Sequence, residues 1–130
     1  MKIKVISALI VGLLLLALTL PVAAANGDYV LGTKLMFRIH SEYGGLSQQQ
    51  RVDVLTDKMI PLLTQGQYDS AKLRILSKKG EVAITYAGHV LITIDPVTAK
   101  MNGKSRLELA SDWAKLLNDE IPESQAYYKE

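Results

Sequence analysis

The sequence predicts an α+β fold in which an antiparallel sheet of about five strands carries two helices packed on one face. Three observations lead to this prediction: short runs of alternating apolar residues, tight turns between consecutive runs, and two helical stretches that begin at capping boxes. The element order is β-β-α-β-β-β-α. Strands joined by short turns pair antiparallel, and helices beside such a sheet form a two-layer sandwich.

The first 25 residues have the three parts of a secretory leader. Lys2 and Lys4 supply the positive start, residues 5–20 are almost continuously apolar, and Pro21 precedes a run of small residues. This pattern is typical of proteins exported from the bacterial cytoplasm. We therefore expect an extracytoplasmic protein, either periplasmic or secreted.

Cleavage of the leader is expected near Ala24 or Ala25, because signal peptidase requires small side chains before the cut. The alternative is an uncleaved membrane anchor formed by residues 5–25, since about 20 apolar residues can cross a bilayer. The remainder divides into a single α+β domain, 26–122, and a polar C-terminal tail, 123–130.

Composition restricts the classes of partner. Without the leader, 13 basic and 13 acidic residues remain, and this neutral balance does not favour nucleic acid as a partner. A membrane is expected as a partner only if the leader is uncleaved. The chain has no cysteine, so we predict no disulfide, no thiolate chemistry and no lipoprotein anchor.

A β-hairpin is predicted at the start of the domain. Residues 29–31 and 35–40 are strand-like runs separated by a short Gly-containing turn. In the second run Leu35, Phe37 and Ile39 alternate with other residues, so we expect these three side chains in the core.

The first helix is predicted to begin at Ser47, which forms a capping box with Gln50. Apolar residues then recur at steps of three and four along one face. Pro61 lacks an amide hydrogen and crowds the preceding turn, so we expect the helix to kink or end just before it.

Three strand-like runs follow, at residues 73–76, 82–86 and 90–94, with turns short enough to predict an antiparallel meander. Asp95-Pro96 opens a short helical stretch that Gly103 closes.

The last helix is predicted to begin at the capping box of Ser105 and Glu108. Trp113 lies near its apolar stripe and is expected in the core. We expect Pro122 to end this helix and the polar tail beyond it to fray.

Candidate chemistry is sparse. His40 and His89 lie at strand ends, and two histidines without a third ligand do not make a zinc site.

Asp53 and Asp57 share a helix face, but Arg51 and Lys58 lie nearby, and this mixture of charges indicates an ordinary solvated surface. We predict no catalytic residue, no cofactor and no metal ligand.

Tyr43, Gly44 and Gly45 form the candidate binding loop. They stand between a strand and a helix N-terminus, where exposed backbone amides can hold an anion or a peptide carboxylate. The competing interpretation is that the two glycines only let the chain reverse direction.

Short motifs in order carry a resemblance to a known family. Residues 30–39, Gly-Gly-Leu-Ser at 44–47, residues 88–95, and Leu-Ala-Ser-Asp-Trp at 109–113 follow one another in the chain. This succession, over most of residues 29–121, resembles the exported N-terminal domain ahead of the membrane helices in bacterial small-conductance mechanosensitive-type channel proteins. The resemblance implies a non-enzymatic sensing or interaction module of the cell envelope. Because no membrane helices follow in this chain, conduction and gating are not carried over.

The leading functional hypothesis is a non-catalytic exported domain that binds or senses an envelope protein or a cell-wall component. The alternative is an exported small-molecule binding protein with a pocket lined by Phe37, Tyr86 and Trp113. The third is a small hydrolase, which would require His40 and His89 to converge with an acid.

Overall fold

The computed structural model describes residues 25–128. Most of the predicted leader, including the Ala24 cleavage position, lies outside the described residues, and Ala25 is the first residue within them. None of the helices in the described range combines the length and the apolar character needed to span a bilayer.

Five strands and three α-helices are present in residues 25–128. Their bounds are β1 Asp28–Leu31, β2 Lys34–Arg38, α1 Gln48–Thr64, β3 Leu73–Lys78, β4 Glu81–Tyr86, β5 His89–Thr93, α2 Pro96–Met101 and α3 Arg106–Tyr128. The α+β class predicted from the sequence is therefore confirmed, and the structure has three helices where the predicted order has two.

The strands form two sheets, not the single five-stranded sheet expected from the sequence. The hairpin β1-β2 stands alone, and β3-β4-β5 is a separate antiparallel meander. After β2 the backbone amide of His40 donates to the Thr98 hydroxyl at 2.9 Å, which joins the end of the hairpin to the helix that follows the meander. The 17-residue helix α1 then separates the two sheets along the chain.

A bulge in the hairpin changes which side chains of β2 are buried, compared with the prediction. Tyr29 pairs with Phe37 and Val30 with Leu35, so Met36 is an extra residue in β2. A bulge re-aims the side chains around it. As a result Met36 and Phe37 are both buried, whereas Leu35, predicted in the core, is 45% exposed.

Helix α1 begins at the predicted capping box, in which the Ser47 hydroxyl and the Gln50 side chain each accept a backbone N–H. It does not end or break before Pro61 and continues to Thr64. Although a proline crowds the preceding turn, it removes only one hydrogen bond of the helix, that of its own N–H. Buried Leu63 and a bond from the Gln65 amide to the Pro61 carbonyl hold the last turn.

Helix α3 also continues through its proline, so the expected stop at Pro122 is wrong. The residues assigned to a polar tail are helical as far as Tyr128. The extension is held by Gln125, which is buried and donates from Nε2 to the Leu62 carbonyl of α1 at 2.7 Å. Tertiary packing therefore overrides the local preference of the proline.

The core lies between the long helices and the two sheets. Phe37 of β2 stacks on Trp113 of α3 with ring centroids 4.1 Å apart, and both side chains are buried. The predicted core position of Trp113 is confirmed. The other large, fully buried side chains include Tyr29, Ile39, Leu55, Met59, Ile84, Ile94, Leu117 and Ile121.

Candidate functional site

An open groove of about 570 Å³ lies between β5 and the first turns of α1. Strand β5 follows from the Gly88 turn, and the Ser47 cap starts the helix that forms the facing wall. The lining residues are Tyr43, Gly44, Leu46, Arg51, Val54, Lys58, Glu81, Val90, Leu91, Ile92 and Thr93.

The predicted binding loop is a tight reverse turn at one end of this groove. The amide of Tyr43 donates to the Leu46 carbonyl at 2.9 Å, and the amide of Leu46 donates back at 3.1 Å. Gly44 and Gly45 have φ values of 62° and 81°, a left-handed pair that glycine adopts at low cost. Thus the glycines reverse the chain, while Tyr43 and Gly44 also line the groove.

Tyr43 is held in place by three charged side chains. Its hydroxyl donates to the carboxylate of Glu81 at 2.6 and 2.8 Å, while the guanidinium carbons of Arg51 and Arg106 lie 5.6 and 5.9 Å from its ring centroid. The bond to Glu81 raises the pKa of the Tyr43 hydroxyl and holds the pKa of the carboxyl below its usual value. This end of the groove is therefore ordered by contacts within the chain.

Arg51 joins the groove to a buried polar cluster. Its guanidinium donates to Asp95 Oδ2 at 2.6 Å and to the backbone carbonyls of Ser41 and Thr93 at 2.9 and 2.7 Å. Arg51 is 7% exposed and Asp95 is 1% exposed. The ion pair thus neutralises both charges inside the protein.

Asp95 is also the N-cap of α2. Its carboxylate accepts the backbone amide and the hydroxyl of Thr98 at 2.7 and 2.6 Å, and the hydroxyl of Ser41 at 2.8 Å. Burial alone raises the pKa of this carboxyl, but the bonds from Thr98, Arg51 and Ser41 outweigh burial and hold the pKa below its usual value. Asp95 is therefore charged at neutral pH.

The edge of β5 faces the groove, and two of its carbonyls are bound by cations of α1. The Val90 carbonyl accepts Lys58 Nζ at 2.7 Å, as the Thr93 carbonyl accepts Arg51. Lys58 is exposed, whereas Arg51 is buried. The Lys58 bond is therefore the one that an incoming ligand can displace.

A second cavity, of about 440 Å³, continues along β5 from the first. The two share Lys58, Val90 and Leu91, and the second is also lined by Tyr86 and His89. Together they extend along the whole of β5, a length of roughly 16 Å at 3.3 Å per residue.

The structure does not bring His40 and His89 together. His40 lies beside Thr98 of α2, beyond the far end of β5, while His89 is the first residue of β5. Roughly 16 Å of strand separates these two places. Across residues 25–128, there is no group of three or more His, Cys, Asp or Glu side chains able to hold a metal ion.

Asp53 and Asp57 are exposed on α1, as expected, but Arg51 is not part of a solvated surface. Sequence reasoning missed Arg51 because charged residues are mostly exposed. A signal was present: Arg51 precedes buried Leu55 by four residues and so lies on the flank of the buried face.

Comparison with known proteins gives a match to a protein family. A family model described as a domain of unknown function (DUF8459) matches residues 28–124. No curated protein and no solved structure matches the chain. The family description names no ligand, activity or partner and makes no link to channel proteins.

Proposed function

The chain belongs to the DUF8459 family of domains of unknown function, and we propose that it is a non-catalytic binding module whose groove accepts a peptide segment of a partner. The observation that carries the proposal is the edge of β5, which presents a carbonyl bound by an exposed lysine where the two cavities along β5 meet.

The apolar surface of the groove supports binding of an apolar side chain. Leu46, Val54 and Val90 are each between 36% and 37% exposed and line the same groove above buried Leu91. Isolated exposed apolar residues are common, whereas grouped ones in a concave surface favour ligand binding.

The charge of the groove supports an anionic group on the ligand. Arg51 is neutralised by Asp95, and Glu81 is paired with Arg106. Lys58 takes part in no ion pair with the described part of the chain. One cation of the groove is therefore left for an acidic partner group.

A peptide supplies both groups that Lys58 displacement requires. When the Lys58 ammonium turns to a carboxylate, the Val90 carbonyl loses its donor. Once a ligand covers that carbonyl, leaving it unsatisfied costs about 1–3 kcal/mol. A backbone N–H of the peptide replaces that donor. An acidic, partly apolar peptide thus satisfies both groups at once.

For the small-molecule alternative, the binding place differs from the pocket predicted from the sequence. Phe37 and Trp113 stack in the core and line none of the cavities described, while Tyr86 lines the cavity at the His89 end of β5. A small ligand would therefore use the cavities along β5 and not the core around Phe37 and Trp113.

Location in the cell envelope remains part of the proposal. It is supported by the three-part leader at residues 1–25 and by the resemblance to exported channel-associated domains. Cell fractionation with intact-mass determination tests it. A protein beginning at Ala25 or Asn26 outside the cytoplasm supports export, and a cytoplasmic protein retaining Met1 contradicts it.

The groove is tested by selecting displayed random peptides on the purified protein and mapping their contacts by amide chemical shifts. Two variants change the groove, Lys58→Glu and Val54→Asp. The control is Lys115→Glu, which makes the same charge change at an exposed lysine of α3 that lines none of the cavities described.

We expect acidic, partly apolar peptides that shift the amides of α1 and β5. Each groove variant should weaken their binding by about tenfold, the equivalent of about 1.4 kcal/mol, and the control should not. Peptides that bind the Lys58→Glu variant unchanged, or a selection that yields none, would refute the proposal.

A further inference from the structure

Strand β3 is exposed to an unusual degree for a strand of a three-stranded sheet. Five of its six residues are exposed, including Ile75 at 38% and Leu76 at 46%. Consecutive strand residues point to opposite faces. Both faces of β3 are therefore open near its middle.

The outer backbone groups of β3 follow from the hydrogen-bond alternation in the sheet. The amide of Ile94 donates to the Val82 carbonyl, so Val82 and Ile84 direct their backbone groups towards β5. Ala83 and Thr85 consequently face β3. Their partners in β3 are Leu76 and Arg74.

The N–H and C=O groups of Ile75 and Ser77 therefore point away from the sheet. Strand β3 is an edge strand of the sheet β3-β4-β5. Within residues 25–128 it pairs with β4 and with no other element. An exposed row of such groups can accept another strand.

The same edge is strongly basic. Four cations lie on or next to β3, and none of them has an ion-pair partner in the part of the chain that the structure describes: Lys72, Arg74, Lys78 and Lys79. The carboxylate opposite Lys78 is Glu81, which is already bonded to Tyr43 and Arg106.

We propose that the outer edge of β3 is a second interaction surface, which takes an extended acidic segment of a partner protein as an added strand. The open groups of Ile75 and Ser77 supply the backbone pairing, and the cations select for acidic side chains. The proposal is independent of the groove, because no residue of β3 lines either cavity along β5.

Alternation defines the pattern of the partner. Arg74 and Lys78 share one face of β3, and Ile75 lies on the other. An added strand with acidic residues at every second position places them beside the two cations and places its remaining side chains beside Ile75. Glutamate alternating with valine meets both requirements.

A second copy of this chain fits the edge poorly. Antiparallel self-pairing that uses both open residues places Ile75 opposite Ser77 of the other copy. Arg74 then lies opposite Lys78 of the other copy, twice by symmetry. Like charges directly opposite one another destabilise a strand pair.

The test uses a fluorescent eight-residue peptide that alternates glutamate and valine, with the matching lysine–valine peptide as its counterpart. Binding to the full chain is measured by fluorescence polarisation. Ser77→Pro removes an outward N–H, which an edge strand tolerates, and Ser77→Ala keeps the N–H and serves as the matched control.

We expect the acidic peptide to bind and the lysine peptide to bind at least about tenfold more weakly, because two cross-strand charge pairs change sign. Ser77→Pro should weaken binding of the acidic peptide about tenfold, and Ser77→Ala should leave it within about twofold. Binding should also weaken when salt is raised.

The double variant Arg74→Gln/Lys78→Gln keeps the test valid if Ser77→Pro does not fold. It changes only exposed side chains and should weaken binding about tenfold, whereas Lys100→Gln/Lys115→Gln should not.

Three results would overturn the proposal. The first is equal binding of the acidic peptide to Ser77→Pro and Ser77→Ala. The second is a dimer in sedimentation experiments that Ser77→Pro abolishes, since a second copy would then occupy the edge. The third is failure of the acidic peptide to bind while phosphatidylglycerol vesicles bind, which would assign the cations to a lipid surface.

Discussion

Replacement of Arg51 by methionine should destabilise the protein far more than an ordinary change of a helix residue. Methionine keeps much of the length of the arginine stem but removes the guanidinium, which makes three bonds, to Asp95 and to two carbonyls. Asp95 would remain buried and charged, with only the Thr98 and Ser41 groups as donors.

Removal of one partner from a buried ion pair costs about 3–5 kcal/mol, because it leaves an uncompensated buried charge. Domains of this size have a free energy of unfolding of about 5–15 kcal/mol, so Arg51→Met removes a large part of the stability. Arg74→Met is the matched control. Arg74 is exposed and has no ion-pair partner within residues 25–128. Arg74→Met should therefore change the free energy of unfolding by no more than about 0.5 kcal/mol.

The assay is urea unfolding at 25 °C of the wild type, Arg51→Met, Asp95→Asn and the double variant. Residues in one buried network should show a coupling energy of about 0.5–3 kcal/mol in this cycle. A cost below about 1 kcal/mol for Arg51→Met, or additive single variants, would refute the claim that the pair is a buried, coupled unit.

The pH dependence of the free energy of unfolding tests the ion pair of Arg51 and Asp95 independently. The folded-state pKa of Asp95 lies below its unfolded value, so its contribution is present above about pH 4 and is lost as pH falls through the folded pKa. Without Arg51, protonation relieves the unpaired charge. The difference in free energy of unfolding between wild type and Arg51→Met should therefore narrow from pH 7 to pH 3, and a widening difference would contradict this account.

Two further predictions concern the backbone and the core. Gly27→Ala should cost at least about 2 kcal/mol in urea unfolding, because the residue has φ +91° and an added Cβ would lie 2.2 Å from the Ile39 carbonyl oxygen. Gly103→Ala, with φ +66° and open space, should cost only about 1 kcal/mol, and equal costs would count against the clash. Leu55→Ala should cost about 2–5 kcal/mol because Leu55 is fully buried, whereas Ile60→Ala on the exposed face should cost less than half as much, and similar values would disprove the assigned helix face.

The elements of this fold could be predicted from local signals. Both capping boxes act at short range, through bonds between residues three apart, and the meander turns are equally local. The position of the hairpin relative to the meander depends on contacts between distant residues, such as the bond from His40 to Thr98, which are 58 positions apart in the chain. Such a contact leaves no periodic trace in the sequence.

The proline predictions failed for a related reason. Pro61 and Pro122 do weaken a helix locally, but each lies beside residues that the tertiary structure buries, Leu63 and Ile121. Burial of a large apolar side chain contributes about 1.5–3 kcal/mol, comparable to the roughly 3 kcal/mol cost of an interior proline.

The candidate site was predicted only in part. Tyr43 and Gly44 do line the groove, but for a reason that the glycine pair did not reveal, since the ring is fixed by Glu81, Arg51 and Arg106. These partners come from three different elements. Their meeting depends on how α1, β4 and α3 pack together.

The bond from Gln125 to the Leu62 carbonyl joins the ends of two helices that each contain a proline near that end. Neither end can fray without releasing the other's hydrogen bond, so the last turn of α1 and the last turns of α3 form one unit of local opening. Amide hydrogen exchange in the two segments should consequently follow a single rate-limiting opening event. The stability of α1, which forms one wall of the groove, thereby depends in part on Gln125, which lies 63 positions beyond Leu62 in the chain.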